Sequence, residues 1–185
     1  MPDRFAGPMI SGAENPAYLA LPLLLALWMA WGDIQSRRIP NYLTLFTALS
    51  GLGFHLGAHG WVGLGHGFLG LGVGLLLMLP FYLTGGLGAG DVKALAGLGA
   101  WVGPWGTLLL FIYMGVAGLF LIIFYLFRRG ELKARVRHWG VLLKKYLLFG
   151  QASPSSPSPP ALAPEGLPYA VAIACGMMLL CLRGL

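Results

Sequence analysis

WVGLGHGFLGLGVGLLLMLPFYL, residues 61–83, runs for 23 residues without an Asp, Glu, Lys or Arg. At 1.5 Å per residue a helix of that length covers about 34 Å, enough for a hydrocarbon core about 30 Å thick. Gly63, Gly67, Gly70 and Gly74 recur at three- and four-residue spacings. Small residues so placed let transmembrane helices approach closely, so the stretch is expected to cross a membrane inside a tight bundle. Pro80 predicts a kink near its end. The whole chain agrees: its 185 residues are 57% apolar and 10% charged, with a mean hydropathy of +0.76, against about 25% charged residues in soluble domains. Backbone groups in lipid must bond within their own segment. The expected class is therefore all-α, a polytopic transmembrane bundle of about six helices in a single domain, 1–185.

Beyond this stretch lies Gly88-Ala89-Gly90-Asp91-Val92-Lys93, which carries one of only six acidic residues. Ionisable groups next to membrane-spanning segments are costly and are read as functional by default. The partner available to Asp91 is Asp33, 58 positions earlier (91 − 33). Residues 17–32 form the first expected crossing, with Trp28 and Trp31 at headgroup level, which puts Asp33 at a membrane boundary. This segment is expected to be retained, since it lacks a small-residue cleavage site before Asp33. Residues 33–41 read as a loop whose Pro40 and Asn41 start the next helix, because proline is tolerated in a first turn. Further crossings are expected over 42–56, 105–127 and 167–182. Residues 92–102 would cover only about 16 Å before Gly103-Pro104 breaks the helix, and so form a short or partial crossing. Residues 128–149 read as a basic helix lying on the membrane surface, and 150–167 as a Pro/Ser-rich linker.

With these segments alternating across the membrane, Arg37, Arg38, Lys93 and the basic run from Arg128 fall on one side, the cytoplasmic side by the positive-inside rule. Asp33 and Asp91 share that boundary. The net charge of +6 is explained by residues flanking apolar segments and facing anionic lipid. No stacking platform accompanies it, so nucleic acid is not expected as a partner. Arg37 and Arg38 read as headgroup anchors. Cys175 and Cys181, both in the last apolar segment, read as packing residues rather than a disulfide or a metal site. His55, His59 and His66 have spacings that suggest a metal site, but they fall on the side opposite the aspartates without an acidic ligand. They read as interfacial polar residues, and neither metal nor cofactor is expected.

Two carboxylates at one depth can share a proton, because two like charges in one site cannot both ionise cheaply. One then takes a proton from water while the other hydrogen-bonds a carbonyl, which is the division of labour that peptide hydrolysis requires. Asp33 follows a helix and Asp91 begins one, so helix dipoles favour Asp33 as the acid and Asp91 as the base. The plainer alternatives are that Asp91 caps the helix it begins and that Asp33 pairs with Arg37 or Arg38.

Asp33 followed by Arg38-Ile39-Pro40-Asn41, and later Gly88-x-Gly90-Asp91-Val92-Lys93, together resemble the motifs of the type IV prepilin peptidases, aspartyl proteases of bacterial membranes. Residues 95–103 and Leu167-Pro168-Tyr169-Ala170 extend the resemblance. It implies a six-helix enzyme of the bacterial inner membrane with catalytic aspartates at Asp33 and Asp91, facing the cytoplasm. Gly88, Gly90, Lys93, Pro40 and Asn41 would shape the site or bind substrate, the two glycines by letting the substrate backbone lie near Asp91. The implied reaction is metal-independent removal of the basic leader of prepilins or pseudopilins, after a glycine and before the apolar helix. Larger members carry an insertion with paired Cys-x-x-Cys motifs and also methylate the new N-terminus. This chain resembles the short form, for which methylation is not expected. Presenilin-like proteases share Gly-x-Gly-Asp but need Tyr-Asp and Pro-Ala-Leu where Gly32-Asp33 and Pro168-Tyr169 stand here. A different class of reading is a non-catalytic assembly subunit, or a small ion or proton transporter using Asp33 and Asp91.

Overall fold

The computed structural model describes residues 17–129 and 169–184. Among them every regular element is a helix: α1 (Ala17–Ser36), α2 (Asn41–Leu83), α3 (Ala89–Arg129) and α4 (Tyr169–Gly184). The first three are long and apolar enough to cross a membrane, and α4 is a shorter apolar helix. Nearly all of the basic helix expected over 128–149, and the whole linker over 150–167, lie outside the described residues.

At 43 and 41 residues, α2 and α3 are about twice the length that one crossing needs. Each is folded over a glycine. Gly60 has φ 62° and Gly103 φ 70°, a region that residues with a Cβ enter only at a cost of roughly 1–2 kcal/mol. Across Gly60 the segments 41–59 and 61–83 run antiparallel: Gly63 backs onto His55 and His59, and Gly67 onto Leu52. The reversal at Gly103 follows from its neighbours. Segment 89–102 runs from the Asp91 end to the Gly103 end. Segment 104–129 runs back, passing Gly176 of α4 at Met114 and Ala172 at Gly118. Four helices thus contribute six bundle segments, close to the count expected. The break expected at Gly103-Pro104 is present. The departure from helical dihedrals within α2 lies at Gly60, not at Pro80.

Segment 89–102, which contains the short or partial crossing expected over 92–102, is the centre of the bundle. From Val92 to Val102 only Lys93 is exposed. Its small residues make this possible. Gly97 lies against Thr44, Thr47 and Ala48 of segment 41–59, which runs parallel to it, while Gly74, Gly70 and Gly67 lie against Ala96, Gly99 and Ala100 from the antiparallel side. The indole Nε1 of Trp101 donates to the Thr47 carbonyl at 2.9 Å. His55 Nε2 donates to the Trp101 carbonyl at 2.9 Å, satisfying an acceptor next to the break at Gly103. His59 and His66 stack loosely near His55, with ring centroids 6.0 and 5.7 Å from it. Among the described residues no group of His, Cys, Asp and Glu is arranged to hold a metal.

α1 packs mainly on α4, burying Leu25, Ala26, Met29 and Ala30. The pair is antiparallel: the Cys181 thiol meets the Leu19 carbonyl at one end, and Asp33 meets Ala170 at the other. α1 also corrects one expectation. Asp33 does not open a loop; it lies inside the last turn of a helix that continues to Ser36. The helix outlasts its apolar run because polar groups close it. Arg37 N–H donates to the Asp33 carbonyl at 2.8 Å, and the Ser36 hydroxyl bonds the Gly32 carbonyl at 2.8 Å. Arg37 then takes a left-handed φ of 53°, the conformation that commonly ends a helix.

Candidate active site

Both aspartates are buried, Asp33 at 9% and Asp91 at 8% exposure, and both line one cavity of about 300 Å³ at the end of the bundle away from Gly60 and Gly103. Its remaining walls are Arg37, Arg38, Ile39 and Asn41 from the α1–α2 connection and Gly88, Ala89 and Gly90 from the start of α3. The two carboxylates are close enough to act on each other electrostatically. Residues far apart in sequence therefore meet in one cavity at one end of the bundle.

Each carboxylate is fastened by one backbone N–H. Asp91 is the third residue of α3, and its Oδ2 accepts from the Gly88 N–H at 3.2 Å, the reach-back of a capping box. So Asp91 does fasten the start of its helix, but from inside it, reaching back from the third position, and not as the residue capping a helix that begins at Val92. Capping does not require burial beside a second carboxylate. Asp33 Oδ2 accepts from the Ala170 N–H at 3.2 Å, in the first turn of α4, where backbone donors have no partner inside the helix. Asp33 is thus a cap supplied from another helix. The alternative pairing of Asp33 with an arginine is not seen: among the described residues no ion pair joins Arg37 or Arg38 to either aspartate.

This arrangement alters the helix-end argument for roles. Asp33 lies near the negative end of α1 but also at the positive end of α4, as Asp91 does at that of α3. Helix dipoles therefore no longer separate an acid from a base.

The other expected site residues divide. Gly88 serves the turn, its N–H bonded to Asp91 and its carbonyl accepting from Asp91 N–H at 3.1 Å. Gly90 makes room for the chain itself: a Cβ there would lie 3.2 Å from Ile39 Cβ, so its open face is taken by the α1–α2 connection. Pro40 stands just before α2 in extended conformation, φ −63° and ψ 132°, and its carbonyl receives Leu43 N–H at 3.1 Å. Asn41 lines the cavity and accepts at Oδ1 from Lys93 Nζ at 3.0 Å. Lys93 itself lines a second, largely apolar cavity of about 390 Å³ with Thr44, Leu45, Ala48, Leu71 and Leu75. It does not line the aspartate cavity itself, and its bond is to Asn41, which does. Arg37 and Arg38, expected as headgroup anchors, are exposed and also line the aspartate cavity.

One contributor escapes sequence reasoning. Tyr169, the first residue of α4, is half-buried, and its phenol lies within electrostatic reach of Asp91. Positions 167–170 enter the sequence reading only as the start of the last helix, and the place of that start beside the aspartates shows once α1 and α4 are seen side by side.

Comparison with known proteins adds an independent line. Residues 19–123 match the model of the type IV leader peptidase family. A prepilin leader peptidase/N-methyltransferase of Aeromonas hydrophila is 36% identical over 99 residues, covering 48% of this chain and 34% of the relative. One from Aeromonas salmonicida (strain A449) is 36% identical over 100 residues, with the same coverage. The chain thus spans about a third of the length of the curated relatives it matches. No solved structure matches it.

Proposed function

The chain belongs to the type IV leader peptidase family, and from that premise we propose that it is an aspartyl endopeptidase of the bacterial inner membrane. It removes a short basic leader from prepilin-like or pseudopilin-like precursors on the cytoplasmic side, where the leader meets the apolar helix of the mature protein. The observation that carries this reading is the burial of Asp33 and Asp91 in one cavity at one end of the bundle. Arg37, Arg38 and Lys93 cluster at that end, while Arg183 is at the opposite end of α4. By the positive-inside rule that supports a cytoplasmic site.

The mechanism uses the pair as a unit. The carboxylate holding no proton takes one from a water molecule, which attacks the scissile carbonyl carbon. The other, protonated, hydrogen-bonds the carbonyl oxygen as negative charge develops there. On collapse a proton passes to the leaving amine, and the dyad returns to its singly protonated state. The apparent pKa values belong to the pair. A cavity at a helix end suits a bond that lies where a precursor leaves the bilayer.

Methylation of the new N-terminus is not part of this proposal. The chain's two cysteines, Cys175 and Cys181, both lie in α4 and form no Cys-x-x-Cys pair. The transporter reading is less well supported, since transport sites lie near the bilayer midplane and these aspartates lie at helix ends.

Because the proton chemistry resides in Asp33 and Asp91, cleavage of a co-purified precursor is expected to proceed at an unchanged rate in excess EDTA. Loss of turnover on chelation, restored by a divalent metal, would contradict the aspartyl reading.

A further inference from the structure

Three segments, 41–59, 61–83 and 89–102, leave a groove between them beside the aspartate site, the cavity of about 390 Å³ that Lys93 lines. Its wall changes character along its length. At the end near Asp91 stand Lys93 and Asn41, the first residue of α2. Deeper along the crossing the wall is Leu45, Ala48, Leu71 and Leu75, over a floor of buried Ala96 and Gly97. Thr44 offers no free donor there, because its hydroxyl donates to the Asn41 carbonyl at 3.0 Å. Leu45 is 60% and Leu75 40% exposed, so the groove opens sideways, onto the surface that a bilayer covers.

Lys93 heads this groove with donors to spare. It is exposed, and among the described residues it bonds only Asn41 Oδ1, 3.0 Å from its Nζ, with no carboxylate paired to it. An ammonium group has three donors, so two remain for an anionic oxygen. A cation above an apolar slot suits an amphiphile with an anionic head, and the width of the slot decides which kind. From Asn41 to Ala48 is two turns of helix, and about 390 Å³ spread over the roughly 10 Å of those turns leaves a cross-section of about 40 Å². A helix with its side chains is about 10 Å across and needs about twice that. The apolar helix of a precursor therefore does not fit inside, whereas an unbranched hydrocarbon chain does.

We propose that the groove is a site for one anionic phospholipid of the leaflet at the Asp91 end. An acyl chain lies along Leu45, Ala48, Leu71 and Leu75, and phosphate oxygens take the free donors of Lys93. Basic pockets between membrane helices on the cytoplasmic side suit such headgroups, and that is the side on which Lys93 is proposed to lie. The site requires only that α2 and α3 cross a bilayer, so it is independent of the peptidase reading. It adjoins the aspartate cavity all the same, since Asn41 lines both.

The test is a titration of the purified full chain in detergent with dioleoylphosphatidylglycerol, with bound lipid counted by native mass spectrometry and folding checked by thermal melting. The parent is expected to hold one lipid tightly, to bind dioleoylphosphatidylcholine at least about tenfold more weakly, and to keep its lipid in excess glycerol 3-phosphate, which has the head without the chain. Lys93→Gln, at an exposed position that leaves the core intact, is expected to weaken phosphatidylglycerol at least about tenfold, the scale of a hydrogen bond to a charged group. Lys93→Arg restores it. Arg183→Gln, which loses the same charge at the other end of the bundle, leaves it unchanged. Ala48→Leu fills the slot and weakens both lipids. Phosphatidylglycerol held as tightly by Lys93→Gln as by the parent overturns the site, as does an equal loss in Arg183→Gln. If Ala48→Leu leaves lipid affinity unchanged but raises KM for a precursor, the groove belongs to the precursor's apolar helix and the lipid proposal fails.

Discussion

Asp91→Asn and Asp33→Asn each lose turnover by at least about a thousandfold, the scale of removing a positioned acid or base, while the protein stays folded. The reason for both halves of that outcome is in the site. Asparagine keeps the shape of aspartate and an oxygen that accepts the Gly88 N–H or the Ala170 N–H, and it caps helices about as well as aspartate does. What it cannot do is hold or pass a proton. A lone remaining carboxylate can be base or acid but not both at once, so neither variant retains a partial mechanism. The double variant is then expected to be no worse than either single one, because the two residues act as one unit. Turnover of a precursor, together with thermal melting in the same detergent, checks this. A variant that keeps more than about a tenth of the parent rate would remove that aspartate from the chemistry.

Gly74→Ala, one methyl group, is expected to destabilise the bundle by about 1–3 kcal/mol, the usual cost of overpacking, and Gly74→Leu to abolish the folded state. A Cβ at Gly74 would meet backbone and nothing that can swing away: Ala96 Cα at 2.8 Å and Ala96 N at 3.0 Å. Gly70 is as tightly placed, against Gly99 and Gly103 backbone. The consequence reaches the site, since segment 89–102 carries Asp91 at its start and is held centrally by these contacts. The same helix supplies the control. Gly72 has nothing within 4 Å of its Cβ position, so Gly72→Ala leaves stability unchanged or raises it by about 0.5–1 kcal/mol, as alanine does over glycine in a helix. Denaturation of the purified proteins in mixed detergent, read by circular dichroism, would show the alternation. Equal effects at 72 and 74 would mean that the packing of α2 on α3 is not as described.

These two predictions draw on features of unequal legibility. The crossings were readable because a bilayer imposes length and apolarity directly on the sequence, and Gly103-Pro104 announced its break. The glycine spacing in 61–83 foretold close packing, and the meeting of Asp33 and Asp91 in one cavity was anticipated from their motifs. Three matters were not readable, each for a tertiary reason. The helix around Asp33 continues past its apolar run because Ser36 and Arg37 close it with local hydrogen bonds, which periodicity does not register. Gly90 admits Ile39, and Lys93 finds Asn41 at 52 positions' remove. Neither partnership exists until α1–α2 and α3 are brought together. Tyr169 and Ala170 are legible in the sequence only as the start of the last helix, and the bond from Ala170 N–H to Asp33 exists only because α4 lies antiparallel to α1. For the same reason the acid and base roles argued from α1 and α3 alone were incomplete, since the dipole of α4 also acts on Asp33.

The most direct test of the central claim is the mass of a precursor co-expressed with this chain in cells lacking other leader peptidases. The precursor should carry a short basic leader and an apolar helix and come from the same genome. The account predicts a single new N-terminus at the junction of leader and apolar helix, with the released leader ending at that junction. An intact precursor beside folded, membrane-inserted chain would contradict it.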